Sequence, residues 1–418
     1  MNFKNKTITV FGLARSGLDV ALLLSQMKEA SKIKITDVND NPVIRENAKK
    51  LPPRIEAEIG RHSEDFIKDS DIIVISPGIR TDLPILEWAR QKGIKVIGEI
   101  ELGFLLCPAP IVAVTGTNGK TTVTTLSSQI LKLTGKNVHL CGNIGNPFSR
   151  EILKIKKDDL VCLEVSSFQL ETIETFKPNV AVFLNLSRNH LDRYNNMQEY
   201  LAAKKRIFIN QDKNDWAVLN YEDESVRNVS KAIKSQIVFF NTQDDKKEDL
   251  NSNFLAAMAV GRIFGVKKEK CLEVFRDFKG IEHRLEWVRN VDGIDFINDS
   301  KSTTIEATIW ALNNINKPII MIAGGREKGS DFSTIKQQVG EKVKEIILIG
   351  EAKQKIKKAL EGATMILEAE SLQDSVSLAR RDAKRGDIIL FSPMCKSFDM
   401  FIDFEDRGKK FKEIVRNI

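Results

Sequence analysis

The sequence predicts an α/β protein built on parallel sheets. Short apolar runs recur along the whole chain, from TITVF (7–11) to GDIILF (386–391), with helix-length segments between them. Many of these runs end in a glycine or a polar turn. Strands that alternate with helices are joined by right-handed crossovers and lie parallel. At 418 residues the chain is long enough for about three domains of ~150 residues each.

Composition narrows the class. Apolar content of 42% is that of a globular protein. No apolar run approaches the ~18 residues of a membrane span. The N-terminus passes directly into a strand, without the apolar region of a signal peptide, so a cytoplasmic location is expected. The five cysteines are scattered, with no C-x-x-C, which argues against a disulfide framework or a structural zinc site. The formal charge of +7 comes from spread lysines rather than a basic patch with aromatics. No nucleic-acid and no membrane partner is expected, and the chain is expected to be a monomer with anionic small substrates.

The first block is residues 1–105. Strands are expected at TITVF (7–11), IKITD (33–37), IIVI (72–75) and KVIGE (95–99), with a helix running to Met27. The loop after the first strand, Gly12 to Gly17, is G-x-x-x-x-G rather than the dinucleotide fingerprint G-x-G-x-x-G. Asp37 ends the second strand, where an acid often bonds a ribose or base, although a polar strand end explains it equally well.

The second block is residues 106–282. It opens with the strand IVAV (111–114) and the turn GTNGKTT (116–122). The common phosphate loop, G-x-x-x-x-G-K-[ST], needs a glycine where Val114 stands. The mechanics survive, because a strand, a small polar turn and a helix start offer backbone N–H groups to phosphate. Lys120 can reach the terminal phosphates and the Thr121 hydroxyl can hold Mg²⁺. Strands follow at 160–166 and 180–187. Glu164 is an acid inside the first of these and needs a partner, for which a metal ion is well suited. His190 follows the second, at a strand end where α/β proteins bind ligands. The helix YLAAKKRIF (200–208) carries Lys204, and the polar stretch 241–253 is expected to be loop.

The third block is residues 283–418. Its strands, at GIDFIN, PIIMIAG, EIILIG and GDIILF, again end in polar or glycine-rich loops. The ending SPMCKSFDMFIDFEDRG is too rich in large apolar residues for a surface loop, so it packs against another domain or lines a pocket.

Six motifs occur in order: GTNGKTT, LEVSSFQLE (163–171), NHLDRY (189–194), HRLE (283–286), NDSKST (298–303) and AGGREKGSDF (323–332). This ordered set resembles the Mur ligase family over essentially the whole chain. The resemblance implies an α/β protein of three domains: an N-terminal Rossmann-like domain for the UDP-substrate (1–105), a central P-loop-type mononucleotide-binding domain for ATP and Mg²⁺ (106–282), and a C-terminal Rossmann-like domain for the incoming amino acid (283–418). It implies an ATP-dependent amide ligase of peptidoglycan precursor synthesis that works through an acyl phosphate. The chain's ending implies UDP-N-acetylmuramoyl-L-alanine as donor and D-glutamate as acceptor.

The resemblance also assigns residues. Gly116, Thr117, Asn118, Gly119, Lys120, Thr121 and Thr122 would bind ATP, with His283, Arg284 and Asp299 around the nucleotide. Thr121, Glu164, His190 and Lys204 would hold two Mg²⁺ ions, Lys204 as a CO₂-derived carbamate. Lys120, His190 and Lys204 would be the catalytic residues. Ser16, Gly17 and Asp37 would meet the UDP part, and Asn143 and Gln169 the muramoyl end. Thr303, Lys328, Ser397 and the Phe404 region would meet D-glutamate, and Lys301 would be a further substrate-binding residue. The chain departs from the family pattern at Asn189, Thr304, Met394 with Lys396, and Asp249-Leu250, while Asn253 keeps its match. The block before the phosphate loop separates it from folylpolyglutamate synthases, which are similar only from that loop onward. An ATPase with no acceptor site is the reading from another class.

Overall fold

The apolar runs become three sheets in the computed structural model, which describes residues 3–27, 30–189, 193–248, 250–327 and 329–418. The first sheet holds β1 (Thr7–Phe11), β2 (Lys32–Asp37), β3 (Ile55–Ile59), β4 (Ile72–Ile75) and β5 (Lys95–Gly98), in the order β3-β2-β1-β4-β5. The second holds β6 (Ile111–Thr115), β7 (Val138–Gly142), β8 (Leu160–Glu164), β9 (Val180–Phe183), β10 (Trp216–Asn220) and β11 (Gln236–Phe240), in the order β11-β10-β9-β6-β8-β7. The third holds β12 (Glu286–Val291), β13 (Ile294–Asn298), β14 (Ile319–Gly324), β15 (Val343–Ile349), β16 (Met365–Glu368) and β17 (Ile388–Phe391), in the order β12-β13-β17-β14-β15-β16. The first two sheets belong to one compact unit, Met1–Phe278, and the third to another, Lys279–Ile418.

The strand period decides what each face buries. In β6, Ile111 and Ala113 pack with Phe148 and Phe183, while Val112 and Val114 pack with Leu126 and Val260. A parallel strand covered on both faces reads as a continuous apolar run, as IVAV does.

Three expectations change. The third sheet is not wholly parallel, because β12 runs antiparallel to β13. Asp292 and Gly293 join them with both φ angles positive, as a two-residue hairpin turn requires. The apolar ending is not loop to its end either. Phe404–Arg416 is a helix, capped by the Asp403 side chain on the Asp406 N–H, and it buries Phe411 and Val415 in the core. The stretch 241–253 also holds a 3₁₀ turn at Asp245–Glu248, and the helix Ser252–Ile263 begins inside it.

Buried carboxylates tie the first sheet to the second. Glu99 and Glu101 lie on the helix Glu99–Leu106, which follows β5. Glu99 accepts the Ser149 N–H at 2.7 Å, and burial raises its pKa. Glu101 accepts the N–H groups of Glu174, Thr175 and Phe176 and the Thr175 hydroxyl. A buried carboxylate with several backbone donors is fully compensated.

Gly17 allows the helix Arg15–Met27 to start close against the loop before it. A Cβ there would lie 1.7 Å from Gly12 O. Gly17→Ala is expected to destabilise this unit by about 1–3 kcal/mol, as overpacking does, and a melting curve checks it. No helix among the described residues is long and apolar enough to cross a membrane.

Candidate active site

The order of the second sheet reverses at β6, and α/β proteins bind ligands at such a switch point, beyond the strands' carboxyl ends. The loop after β6 turns on Gly119, whose φ is +82°, and the helix Lys120–Lys132 starts there without a side-chain cap. Its first turn therefore points backbone N–H groups out of the loop. Asn253, on the helix Ser252–Ile263, shows why position 119 has no side chain. A Cβ on Gly119 would be 2.4 Å from its Oδ1. The loop is held from the segment after β9 by Thr117 N–H on Asn185 O (3.0 Å) and Asn118 N–H on Asn185 Oδ1 (2.8 Å).

Two lysines meet at this loop. Lys120 Nζ donates to Gly116 O (3.0 Å) and Thr117 O (2.8 Å). Lys204 Nζ donates to the same Gly116 O, at 2.8 Å. One shared acceptor puts the two nitrogens no more than about 6 Å apart, where like charges repel. Lys204 is 1% exposed and lies over the Tyr200 ring. Burial first, then repulsion by Lys120, pushes its pKa down to about 6, against the pull of Glu164. At neutral pH its amine is therefore mostly uncharged.

Glu164 reaches the same place from β8. Strand alternation puts it on the face that carries Leu160 and Cys162, toward the helix Lys120–Lys132. Its carboxylate accepts from Thr121 Oγ1 (2.8 Å) and from Asn143 Nδ2 (2.7 Å). Asn143, expected at the muramoyl end, is thus a partner of the acid. Among the described residues no cluster of three or more His, Cys, Asp or Glu side chains forms a metal site. His190 and Lys328 lie outside the described residues.

The first sheet changes direction at β1, where the Gly12–Gly17 loop meets Ser76 after β4. Ser16 is partly exposed at the start of the helix Arg15–Met27. Asp37 serves its own backbone: Oδ2 accepts the Leu13 N–H at 2.7 Å and Oδ1 the Asn39 N–H at 2.8 Å. Ser76 was not singled out in the sequence, yet its hydroxyl faces the positions where Cβ atoms of Gly12 and Gly17 would stand, each 2.9 Å away. Its signal was the Ser-Pro-Gly turn after an apolar strand. Gln169 shares a small cleft with Ser76, Pro77 and Glu99. Its carbonyl also closes a capping box with Ser166, which gives it a structural role.

In the second unit, Asp299 is buried and accepts from Ser392 Oγ (2.7 Å) and the Leu285 N–H (3.2 Å). Burial raises its pKa to about 6. His283 is buried against the helix Phe404–Arg416, where a Cβ on Gly408 would be 2.2 Å from its Nδ1. Arg284 stacks on the Trp310 ring. Lys301 lies over the Phe404 ring, Thr303 is half-buried beside it in the chain, and Ser397 is buried. Asp299, Lys301, Thr303, Ser397 and Phe404 thus belong to neighbouring segments that follow the carboxyl ends of β13 and β17 in the third sheet.

Three family models match in sequence order: "Mur ligase MurD-like, N-terminal domain" on residues 6–98, "Mur ligase middle domain" on 114–283 and "Mur ligase, glutamate ligase domain" on 283–395. A curated protein from Koribacter versatilis, UDP-N-acetylmuramoylalanine--D-glutamate ligase, is 38% identical over 100% of this chain and 99% of its own length. The chain belongs to the Mur ligase family. A second Mur ligase relative of the same name, from Pelotomaculum thermopropionicum, is 39% identical over 100% of this chain and 99% of its own. Solved Mur ligase structures share the fold. UDP-N-acetylmuramate-alanine ligase MurC from Thermotoga maritima superposes with a TM-score of 0.63 at 18% identity, over 99% of this chain and 100% of that one. A pseudomurein peptide ligase type C from Methanothermus fervidus gives 0.56 at 19% identity, over 99% and 100%. The expected three-domain α/β architecture of the Mur ligases is the one found.

Proposed function

We propose that the chain is an ATP-dependent ligase that joins D-glutamate to UDP-N-acetylmuramoyl-L-alanine in peptidoglycan precursor synthesis. One observation supports this above the others. Lys120, Lys204 and the Thr121–Glu164 pair converge on one phosphate loop, in a chain that aligns end to end with curated D-glutamate ligases. The regions 1–105, 106–282 and 283–418 would take the UDP-substrate, ATP and the amino acid, in a cytoplasmic monomer.

The reaction moves the γ-phosphoryl of ATP to the terminal carboxylate of the donor. The amine of D-glutamate then attacks the acyl phosphate, an amide forms, and phosphate and a proton leave. The uncapped helix start and Lys120 would hold and neutralise the phosphates, which is most of what phosphoryl transfer needs. Glu164 is a buried acid whose hydrogen bonds, among the described residues, come from the neutral donors Thr121 and Asn143. Such a carboxylate fits a divalent cation. Thr121 would hold one Mg²⁺, and Glu164 and His190, with a carbamate on Lys204, a second, and the metal would draw charge from the phosphates. The uncharged Lys204 amine is the form that attacks CO₂; it loses a proton and becomes the carbamate anion. Lys301, Thr303, Lys328, Ser397 and Phe404 would meet the acceptor, and Ser16, Gly17, Asp37 and Gln169 the donor.

Phosphate release tests the reaction. Release from ATP is expected with UDP-N-acetylmuramoyl-L-alanine and D-glutamate together, and not with L-glutamate or L-lysine in its place. Release without any acceptor, or only with another amino acid, would overturn the proposal in favour of an ATPase or a different ligase.

A further inference from the structure

The helix Phe404–Arg416 carries an arginine with an uncommon environment. Arg407 is 1% exposed. Its Nε donates to Ser300 Oγ at 3.0 Å, its Nη2 to Ser300 O at 2.8 Å and its Nη1 to Cys395 O at 3.0 Å. All three acceptors are neutral. Asp399 acts on it through space, and the neighbouring Cys395 thiol keeps its proton, its pKa pushed up to about 12 by burial. Burial lowers the pKa of Arg407 itself only to about 10, so the guanidinium stays charged at neutral pH. Burying a charge without a paired carboxylate is costly, and a structural role alone could be filled by an apolar side chain of similar size.

Its position suggests what the charge is for. Ser300 lies in the loop after β13 and Cys395 in the loop after β17. Gly325, after β14, also borders it: a Cβ there would be 3.3 Å from Arg407 Nη1. These three strands are neighbours, and the strand order changes direction among them, which is where an α/β sheet opens its ligand crevice. Ser300 Oγ also donates to Phe404 O at 2.9 Å. One planar fork therefore joins Ser300, next to Lys301, to Cys395, two residues before Ser397, and to the start of the helix at Phe404. A guanidinium can hold several oxygens in fixed directions, which an ammonium cannot.

We propose that Arg407 is a positioning residue for the acceptor amino acid, fixing the loops after β13 and β17 so that Lys301, Thr303 and Ser397 face a dicarboxylate. This rests on the reading of those loops as the acceptor site. Arg407 does not itself touch the substrate.

Steady-state turnover of the full chain with ATP, UDP-N-acetylmuramoyl-L-alanine and D-glutamate tests it. Arg407→Met is expected to raise KM for D-glutamate tenfold or more, with KM for ATP and for the donor within twofold of wild type. Arg407→Lys keeps the charge without the fork, and most of the defect should persist. Equal changes in all three KM values, or a fall in kcat with every KM unchanged, would reduce Arg407 to a scaffold and overturn the proposal. If Arg407→Met fails to fold by circular dichroism, Ser300→Ala removes one acceptor of the guanidinium and the bond to Phe404 O, keeps the other two acceptors, and should still raise KM for D-glutamate a few-fold; an unchanged KM there would also overturn it. If the wild-type chain does not turn over with D-glutamate, the ligase reading fails instead, and the two failures are distinct.

Discussion

Lys120→Ala is expected to lose turnover by about a thousandfold or more, with the fold retained, because phosphoryl transfer depends on neutralising charge as it moves. The ammonium of Lys120 rests on two carbonyls of its own loop, at 3.0 and 2.8 Å. Those bonds hold it at the mouth of the helix Lys120–Lys132, where phosphates would arrive. Removing it leaves Gly116 O with its bond from Lys204, so the loop keeps a donor. A net hydrogen bond is worth about 1 kcal/mol, too little to unfold the unit. The loss should therefore appear in kcat far more than in the melting temperature. Wild-type turnover in this variant would sink the role assigned to the lysine.

Lys204→Ala is expected to be nearly inactive, and a short carboxylic acid should restore part of the activity. The side chain is buried and its amine is uncharged near pH 7, since its pKa lies at about 6. An uncharged amine can add CO₂; a protonated one cannot. Below about pH 6 the amine takes up a proton, so activation of the wild-type enzyme by bicarbonate should fade as the pH drops through that value. Formate, acetate or propionate, placed in the space left by the side chain, would supply the missing carboxylate. Two results would count against this reading: no rescue by any of them, together with wild-type activity that ignores dissolved CO₂.

Much of this was legible in the sequence. The strands that pack on both faces announced themselves as apolar runs, and β1, β6, β8 and β9 stand where they were expected. The phosphate loop could be read although it breaks the common pattern, because its function rests on backbone geometry that a strand, a glycine and a helix start provide. Several edge strands were hidden, although β5 at the edge of the first sheet was read. In β3, Glu56 is exposed, and half the strand reads as polar surface. β12 was missed although Asp292-Gly293 is a hairpin signal in plain view. Side chains with two possible duties were the hardest. Glu164 was read as an acid in need of a metal, and Thr121 and Asn143 already bond it. Gln169 was read as a ligand contact, and the spacing Ser-x-x-Gln also spells a capping box. Arg407 was not singled out, because no local pattern reveals that its partners are more than a hundred residues upstream and, at Cys395, in the preceding loop.

The carboxylate of Glu101 sets an order on synthesis. Its donors lie at residues 174–176, more than seventy positions later in the chain. A ribosome that has released the whole first sheet has not yet made the partners that this buried acid needs. The helix Glu99–Leu106 must wait, hydrated, while the phosphate loop and β8 emerge behind it. The seam between the first two sheets can therefore be completed only after residues 174–176 have been made.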